Sequence, residues 1–405
     1  MRHFLYTLML LATAAGPAWA EHDCEEEPVG VDAPEPSGFV TELLNSAIRQ
    51  SMPAEGEKGT PEYGRTVTKW ASAPRFGGYA IGSYKYSDLD GAHGGDGFNA
   101  RNIRLYVDGT LLTDFKYRLQ LEMSGDPAAS KGPHVKDFFL AWSHWKELEV
   151  KVGQFKRCFT FENPYNPWEV GVGDYAQMTK KLAGMNDYCG GESSQSGGRD
   201  LGLQLQGDLL PVGRDGHRLF HYQVAAYNGQ GINHADANGR KDLIGTLQVQ
   251  PVKDLYIGVF GWKGDMKYNN VTAQRNRYAL GVKYEHDGWS ARAEYAHQTG
   301  HRISDFSYDA TQQTQVLKAS AGNGRADGWY ATVGVPCTPW LKVYVKYDAY
   351  RDNAQNGSLS SIYTLCPNFQ IHKNLMLQLQ YNYVNSKLSA DRHHSELWGE
   401  VYFRF

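Results

Sequence analysis

From Phe76 to the C-terminus the chain switches between apolar and polar residues at every second position, in one short segment after another. In Asn374–Val384, Leu375, Leu377, Leu379, Tyr381 and Tyr383 alternate with Met376, Gln378, Gln380 and Asn382. Ile103, Leu105 and Val107 alternate with Arg104, Tyr106 and Asp108. Phe115, Tyr117, Leu119 and Leu121 alternate with Lys116, Arg118, Gln120 and Glu122. Leu341, Val343, Val345 and Tyr347 alternate with Lys342, Tyr344 and Lys346. A period of two places one set on each face of a β-strand and has no helical reading.

Such segments fall near 76–86, 100–111, 114–123, 134–144, 147–154, 199–209, 218–228, 243–250, 254–263, 276–286, 289–298, 327–335, 339–349, 361–370, 374–384 and 396–405. Sixteen is an even number, as a closed antiparallel bacterial barrel requires. The connections alternate in length. Leu112-Thr113, Trp145-Lys146, Pro251–Lys253, Asp287-Gly288, Pro336–Thr338 and Ile371–Lys373 are short. Asp88–Asn99, Ser124–Pro133, Phe155–Gly198, Gln230–Lys241, Thr299–Arg325 and Arg351–Ser360 are long. Short periplasmic turns opposite long extracellular loops separate an outer-membrane barrel from a soluble β-domain. The expected fold is therefore all-β, a sixteen-stranded antiparallel transmembrane β-barrel over residues 76–405. The last strand closes on Tyr402-Phe403-Arg404-Phe405, an aromatic ending that resembles the signal read by the barrel-insertion machinery.

The mean hydropathy of −0.54 suits a water-soluble protein. In a membrane barrel, however, only alternate residues meet lipid, so the apolar signal is diluted. The 26 Tyr and 10 Trp fit interfacial girdles. A formal net charge of −3 argues against a nucleic-acid partner.

Residues 1–20 read as a secretory signal peptide: Arg2, an apolar run from Phe4 to Thr13, and small residues at Ala18 and Ala20. Residues 21–75 read as a periplasmic extension. They carry Glu25–Glu27, then Pro28, Pro34 and Pro36, and one short amphipathic helix over Phe39–Gln50. Of the five cysteines, Cys158 and Cys189 bracket a Gly-rich stretch. They would either close a loop of roughly 30 residues in an oxidising compartment or remain thiols. No Cys or His spacing suggests a metal, and no cofactor is expected.

Several segments resemble the phosphate-selective porin O and P family. They are Arg101–Gly109, Lys136–Trp142, Val152-Gly153-Gln154-Phe155-Lys156 with its continuation to Glu162, and Arg199-Asp200-Leu201-Gly202-Leu203. The resemblance implies a sixteen-stranded trimeric porin whose third extracellular loop folds into the lumen. It also implies phosphate and other small anions as solutes, with outer-membrane lipid and lipopolysaccharide as surroundings.

A channel needs charges along its path rather than a catalytic constellation, and none is expected here. Ser143-His144 are adjacent, so on a strand they point to opposite faces. The expected anion path comprises Lys156, Arg157, Lys180 and Lys181 in the long loop, Arg199 beyond it, and Arg104, Lys116, Arg118 and Lys151 on inward faces. Inward Glu122, Glu149, Asp200, Glu285, Glu294 and Glu400 oppose them. Two other readings stand beside the anion porin. One is a sugar-type channel, for which Tyr106, Trp142, Tyr344 and Tyr402 would form an aromatic slide. The other is a non-conducting barrel that anchors the envelope or binds a partner.

Overall fold

A computed structural model describes residues 71–89, 96–124, 132–185, 196–268, 270–389 and 391–405. The expected signal peptide, the helix over Phe39–Gln50 and Cys189 lie outside the described residues.

The barrel wall opens with β1 (Arg75–Ser87), β2 (Gly97–Leu111), β3 (Phe115–Glu122), β4 (His134–Trp145) and β5 (Leu148–Lys156). A helical turn, α1 (Gln177–Leu182), sits in the loop that follows. The wall continues with β6 (Arg199–Val212), β7 (His217–Tyr227), β8 (Asp242–Val252) and β9 (Leu255–Lys263). A loop hairpin, β10 (Asp265–Tyr268) and β11 (Val271–Gln274), precedes β12 (Asn276–His286) and β13 (Trp289–Thr299). A second hairpin, β14 (Phe306–Asp309) and β15 (Thr314–Leu317), precedes β16 (Arg325–Thr338) and β17 (Leu341–Arg351). The wall ends with β18 (Leu359–His372), β19 (Leu375–Ser386) and β20 (His393–Arg404). Omitting the two hairpins leaves sixteen wall strands, each antiparallel to its neighbours, in one closed barrel. Closure is made by β1 on β20, with Tyr79 opposite Arg404 and Lys85 opposite Trp398.

All sixteen sequence segments coincide with wall strands. The two loop hairpins were not anticipated. Each of their strands is only four residues long, too short for alternation to stand out. The wall also begins slightly earlier than Phe76. β1 starts at Arg75, and upstream of it Ala71 bridges to Leu111 while the Ser72 amide donates to the Thr110 carbonyl at 2.9 Å.

The register follows from the alternation. On β12, Tyr278, Leu280, Val282 and Tyr284 are exposed, whereas Arg277, Ala279 and Lys283 are buried. The outward set runs aromatic, aliphatic, aliphatic, aromatic, matching an apolar band flanked by girdles. Short turns need backbone that twists with the strands. At Asp287-Gly288 both residues have positive φ, 47° and 77°, the conformation for which an Asp-Gly pair is favoured. No helix among the described residues is long and apolar enough to cross a membrane; the strands would do so.

Leu280 is 52% exposed near the middle of β12. Leu280→Arg should cost about 2–4 kcal/mol, the penalty for a cation on the lipid face near the midplane. Urea unfolding of the barrel in phosphatidylcholine bilayers would measure it. A change below about 0.5 kcal/mol would contradict the lipid-facing assignment.

Candidate pore constriction

The connection from β5 to β6 is the third long one, and its described part enters the barrel. It starts with Arg157, whose side chain is fully buried and donates to the Asp200 carboxylate at 2.8 Å. Phe159 packs edge-on against Phe260 and Trp262. Phe161 sits over two glycines that face each other on β9 and β12, Gly258 and Gly281. A Cβ on Gly258 would lie 2.7 Å from the Phe161 ring, and one on Gly281 would lie 2.9 Å from it. Glycine at both positions makes the slot that receives the ring.

Beside this slot, Glu294 of β13 fastens the loop backbone. Its carboxylate accepts from the Phe161 amide at 2.6 Å, the Glu162 amide at 3.0 Å and the Tyr330 hydroxyl at 2.6 Å. Glu162 in turn accepts from the Ala176 amide at 2.8 Å and the Thr179 hydroxyl at 2.6 Å. The chain then runs on from β12 and β13 to the C-terminal strands. Tyr165 donates to Glu285 at 2.7 Å, and Trp168 packs on Tyr402 beneath the Arg404 guanidinium. Arg292 donates to the Val170 carbonyl, and Asn368 and Gln378 donate to that of Gly171. The Gly173 amide donates to Gln380 at 2.6 Å and the Gln177 amide to Asp348 at 2.8 Å. Met178 and Leu182 of α1 are wholly buried. The loop is thus pinned to β12, β13 and β17 through β20, and it fills that side of the lumen.

The other side stays open. A cavity of about 140 Å³ lies between the loop residues Phe161, Pro164, Tyr165 and Glu169 and the walls of β3 to β8 and β12. A second, of about 290 Å³, borders Arg218, Lys253, Asp254 and Tyr256. Both are lined by His221 and Gln248, so they meet there and lead toward the short-turn end.

Among the described residues, the lining of the first cavity includes Arg118, Lys151, Lys156, Arg157, Arg199 and Lys283 against Asp137 and Glu169. Most of the arginine charge is answered from behind. Arg118 pairs with Asp108 through two contacts of 2.7 Å, and Arg199 pairs with Asp137 at 2.7 Å. Lys151 lies 3.5 Å from Glu149. Lys156 donates to the carbonyls of Asn163 and Tyr165 and so supports the loop from below. Lys283 has no carboxylate within ion-pair distance among the described residues; its ammonium lies over the Tyr256 ring at 4.4 Å.

The structure therefore brings together five of the nine expected residues, Arg118, Lys151, Lys156, Arg157 and Arg199, around one cavity. Of these, Arg157 is wholly buried in an ion pair. Its geometry is that of a loop anchor, which corrects its expected place as a charge exposed to solute. The other four lie elsewhere. Arg104 pairs with Glu122 at 2.8 Å, and Lys116 is 3.9 Å from Glu149. Lys180 pairs with Asp174 at 2.6 Å, and neighbouring Lys181 is exposed on α1.

Residues 80–206 match the family described as phosphate-selective porin O and P. Over that stretch the chain is similar to that family. Solved structures share the fold at low identity. An anion-selective porin from Comamonas acidovorans is 15% identical with a TM-score of 0.60, over 83% of this chain and 100% of its own. The outer membrane channel DcaP of Acinetobacter baumannii is 13% identical at 0.55, over 86% of this chain and 99% of its own. Salmonella typhi OmpF, solved in complex with daunomycin, is 11% identical at 0.56, over 82% and 97%. Among curated proteins, no sequence matches.

Within this barrel the sequence reading missed a polar array. Gln204 and Gln206 on β6, Gln223 on β7 and Gln248 on β8 line the cavity. Their signal was present: outward Leu203 and Leu205 force Gln204 and Gln206 inward. Cys158 is buried, with its sulfur beside the Tyr227 hydroxyl, and burial pushes its thiol up to about 12. A group with that pKa is inert at neutral pH.

Glu294→Ala would strand two buried backbone donors and a tyrosine hydroxyl, at about 1–3 kcal/mol each. We expect the loop to leave its slot, with new protease cleavage between residues 157 and 185 of the folded barrel. A cleavage pattern identical to wild type would show that the carboxylate does not hold the loop.

The Asp174–Lys180 pair gives a pH signature. Despite desolvation, Lys180 and Arg101 hold the Asp174 carboxyl well below its ordinary value, and Asp174 raises Lys180. A depressed acid stabilises the folded state above its unfolded pKa of about 3.9 and loses that contribution as pH falls. A raised lysine contributes at every pH below about 10.4. Hydrogen exchange in α1 should therefore separate wild type from Asp174→Asn by a constant factor between about pH 5 and 9, and the gap should shrink below about pH 4. A gap that widens on acidification would contradict the pairing.

Proposed function

We propose that this protein is an outer-membrane porin that passes small hydrophilic solutes with a preference for anions. One observation carries this reading. The third loop fills the β17–β20 side of the lumen and leaves an eccentric polar cavity lined, among the described residues and apart from the buried Arg157, by five Lys and Arg against two Asp and Glu. Rings of Arg and Lys favour anions in other pores. The long connections would face the cell exterior and the short turns the periplasm, with export directed by residues 1–20. Phosphate is the anion that the family description names. An OmpT structure from Vibrio cholerae with the same fold, 9% identical at a TM-score of 0.53, is described as a trimer form, and we take a homotrimer as the assembly of this chain.

A second reading has its own observation. Tyr165, Val170, Val172, Tyr175, Met185, Tyr344 and Cys366 form a packed cluster inside the barrel. A lumen filled this far also suits a barrel that conducts little and serves as an anchor or binding platform.

Planar-bilayer recording separates the two. In a potassium chloride gradient the refolded wild type should reverse on the anion side. A unit charge about 4 Å from a permeating ion contributes about 1 kcal/mol in water, or about fivefold in occupancy. Lys151→Gln, which removes one unit charge, should therefore lower anion occupancy of the path roughly fivefold and move the reversal potential toward the cation side. An unchanged reversal potential would remove Lys151 from the path. A folded barrel without conductance steps would favour the anchoring reading.

A further inference from the structure

The cavity pairs each of two lysines with apolar ring faces, which a site for a bare inorganic anion has no use for. Lys151 reaches from β5 over Phe139 at 5.2 Å and Phe155 at 5.5 Å. Lys283 reaches from β12 over Tyr256 at 4.4 Å and Phe161 at 5.8 Å. Phe139, Phe155 and Phe161 line the same cavity as both ammonium groups. The facing surface, from β6 to β8, is the glutamine array. There Gln206 accepts from Gln204 at 2.6 Å and from Gln223 at 3.0 Å, and donates to Glu149 at 2.7 Å.

These features select by chemistry. Phosphate is multiply charged and strongly hydrated, and needs several cations to replace its water. Here the arginines on the cavity are each held by a carboxylate: Arg118 by Asp108, Arg157 by Asp200 and Arg199 by Asp137. Lys156 is turned toward loop carbonyls. Lys283 alone of the six has neither a carboxylate nor a carbonyl partner among the described residues, and it sits among rings. A single negative charge satisfies it, and a flat apolar body attached to that charge covers Phe161 and Phe155. Amide groups both donate and accept, so the glutamines accommodate the hydroxyl or carboxyl edge of such a solute.

We propose that this cavity is a binding site for small organic monocarboxylates with an apolar, ring-sized body. The carboxylate lies at Lys283, and the body rests against Phe161 and Phe155. The proposal deepens the porin reading by naming the solute class of the same cavity, but its test does not depend on conduction.

The test is saturation-transfer NMR on the refolded full-length barrel in detergent micelles, with benzoate, inorganic phosphate and benzyl alcohol as probes. Phosphate lacks protons, so it enters as a competitor of benzoate. We expect saturable benzoate binding, with benzyl alcohol at least tenfold weaker and phosphate displacing benzoate only at tenfold or greater excess. Lys283→Gln should weaken benzoate about tenfold, and Lys283→Arg should restore most of it. Phe155→Leu should weaken benzoate while leaving phosphate competition unchanged. Heat-modifiable migration on gels verifies that each variant is a folded barrel. Phosphate displacing benzoate at equal concentration, or benzoate binding unchanged in folded Lys283→Gln, would overturn the proposal. Conductance without benzoate binding overturns this proposal and leaves the porin reading standing. Benzoate binding by a barrel that does not conduct supports the site and removes the channel.

Discussion

Hydrocarbon offers no partner to a backbone amide, so every strand in a bilayer must be hydrogen-bonded along both edges. The pairing of β1 with β20 meets that requirement and makes the rest of the architecture possible. Once the sheet is closed, the period-two pattern has a single consistent assignment. Leu280 and Val282 face lipid, and Lys283 and Arg277 face inward. A slip of one residue would place Lys283 in hydrocarbon and Leu280 in the lumen, so the register is held across the whole sheet.

Closure also creates an enclosed polar interior that must satisfy its own charges. Much of this is done across neighbouring strands: Arg104 opposite Glu122 and Arg118 opposite Asp108 are register partners of β2 and β3. The remainder is done by the third loop. Glu294, Asp348 and Gln380 are wall side chains whose acceptors receive loop amides. The loop gains a fixed path and the wall gains partners for groups that would otherwise be buried without them.

The wall was legible in the sequence because alternation is local: Leu119 beside Arg118 needs no knowledge of the rest of the chain. The strand count, the inward charges and the alternation of short turns with long loops all follow from that one signal. The charge pairs were not legible, because whether Arg118 meets Asp108 depends on which residues stand opposite. The path of the third loop was hidden for a further reason. Its route is set by features far away in sequence, such as the slot between Gly258 and Gly281 and the carboxylate of Glu294, and no periodicity within 157–198 points to them. Arg157 shows the cost of this. Its charge and its place just after a strand suggest a pore residue, while its burial against Asp200 makes it part of the loop's foundation.

The loop's asymmetry divides the barrel into two unequal territories. On the β17–β20 side the inward residues touch loop rather than solvent, so Asn368, Gln378 and Gln380 are shielded from anything that passes. On the β3–β8 side inward residues such as Lys151, Gln206 and Gln223 border open space, and each change there alters what a solute meets. In the proposed porin, solute preference is therefore written on about half of the circumference. Apart from Lys156, Asp200 and the β9 residues that receive Phe159 and Phe161, that half can be rewritten without disturbing the seat of the loop, much as a lock can be rekeyed without replacing the door.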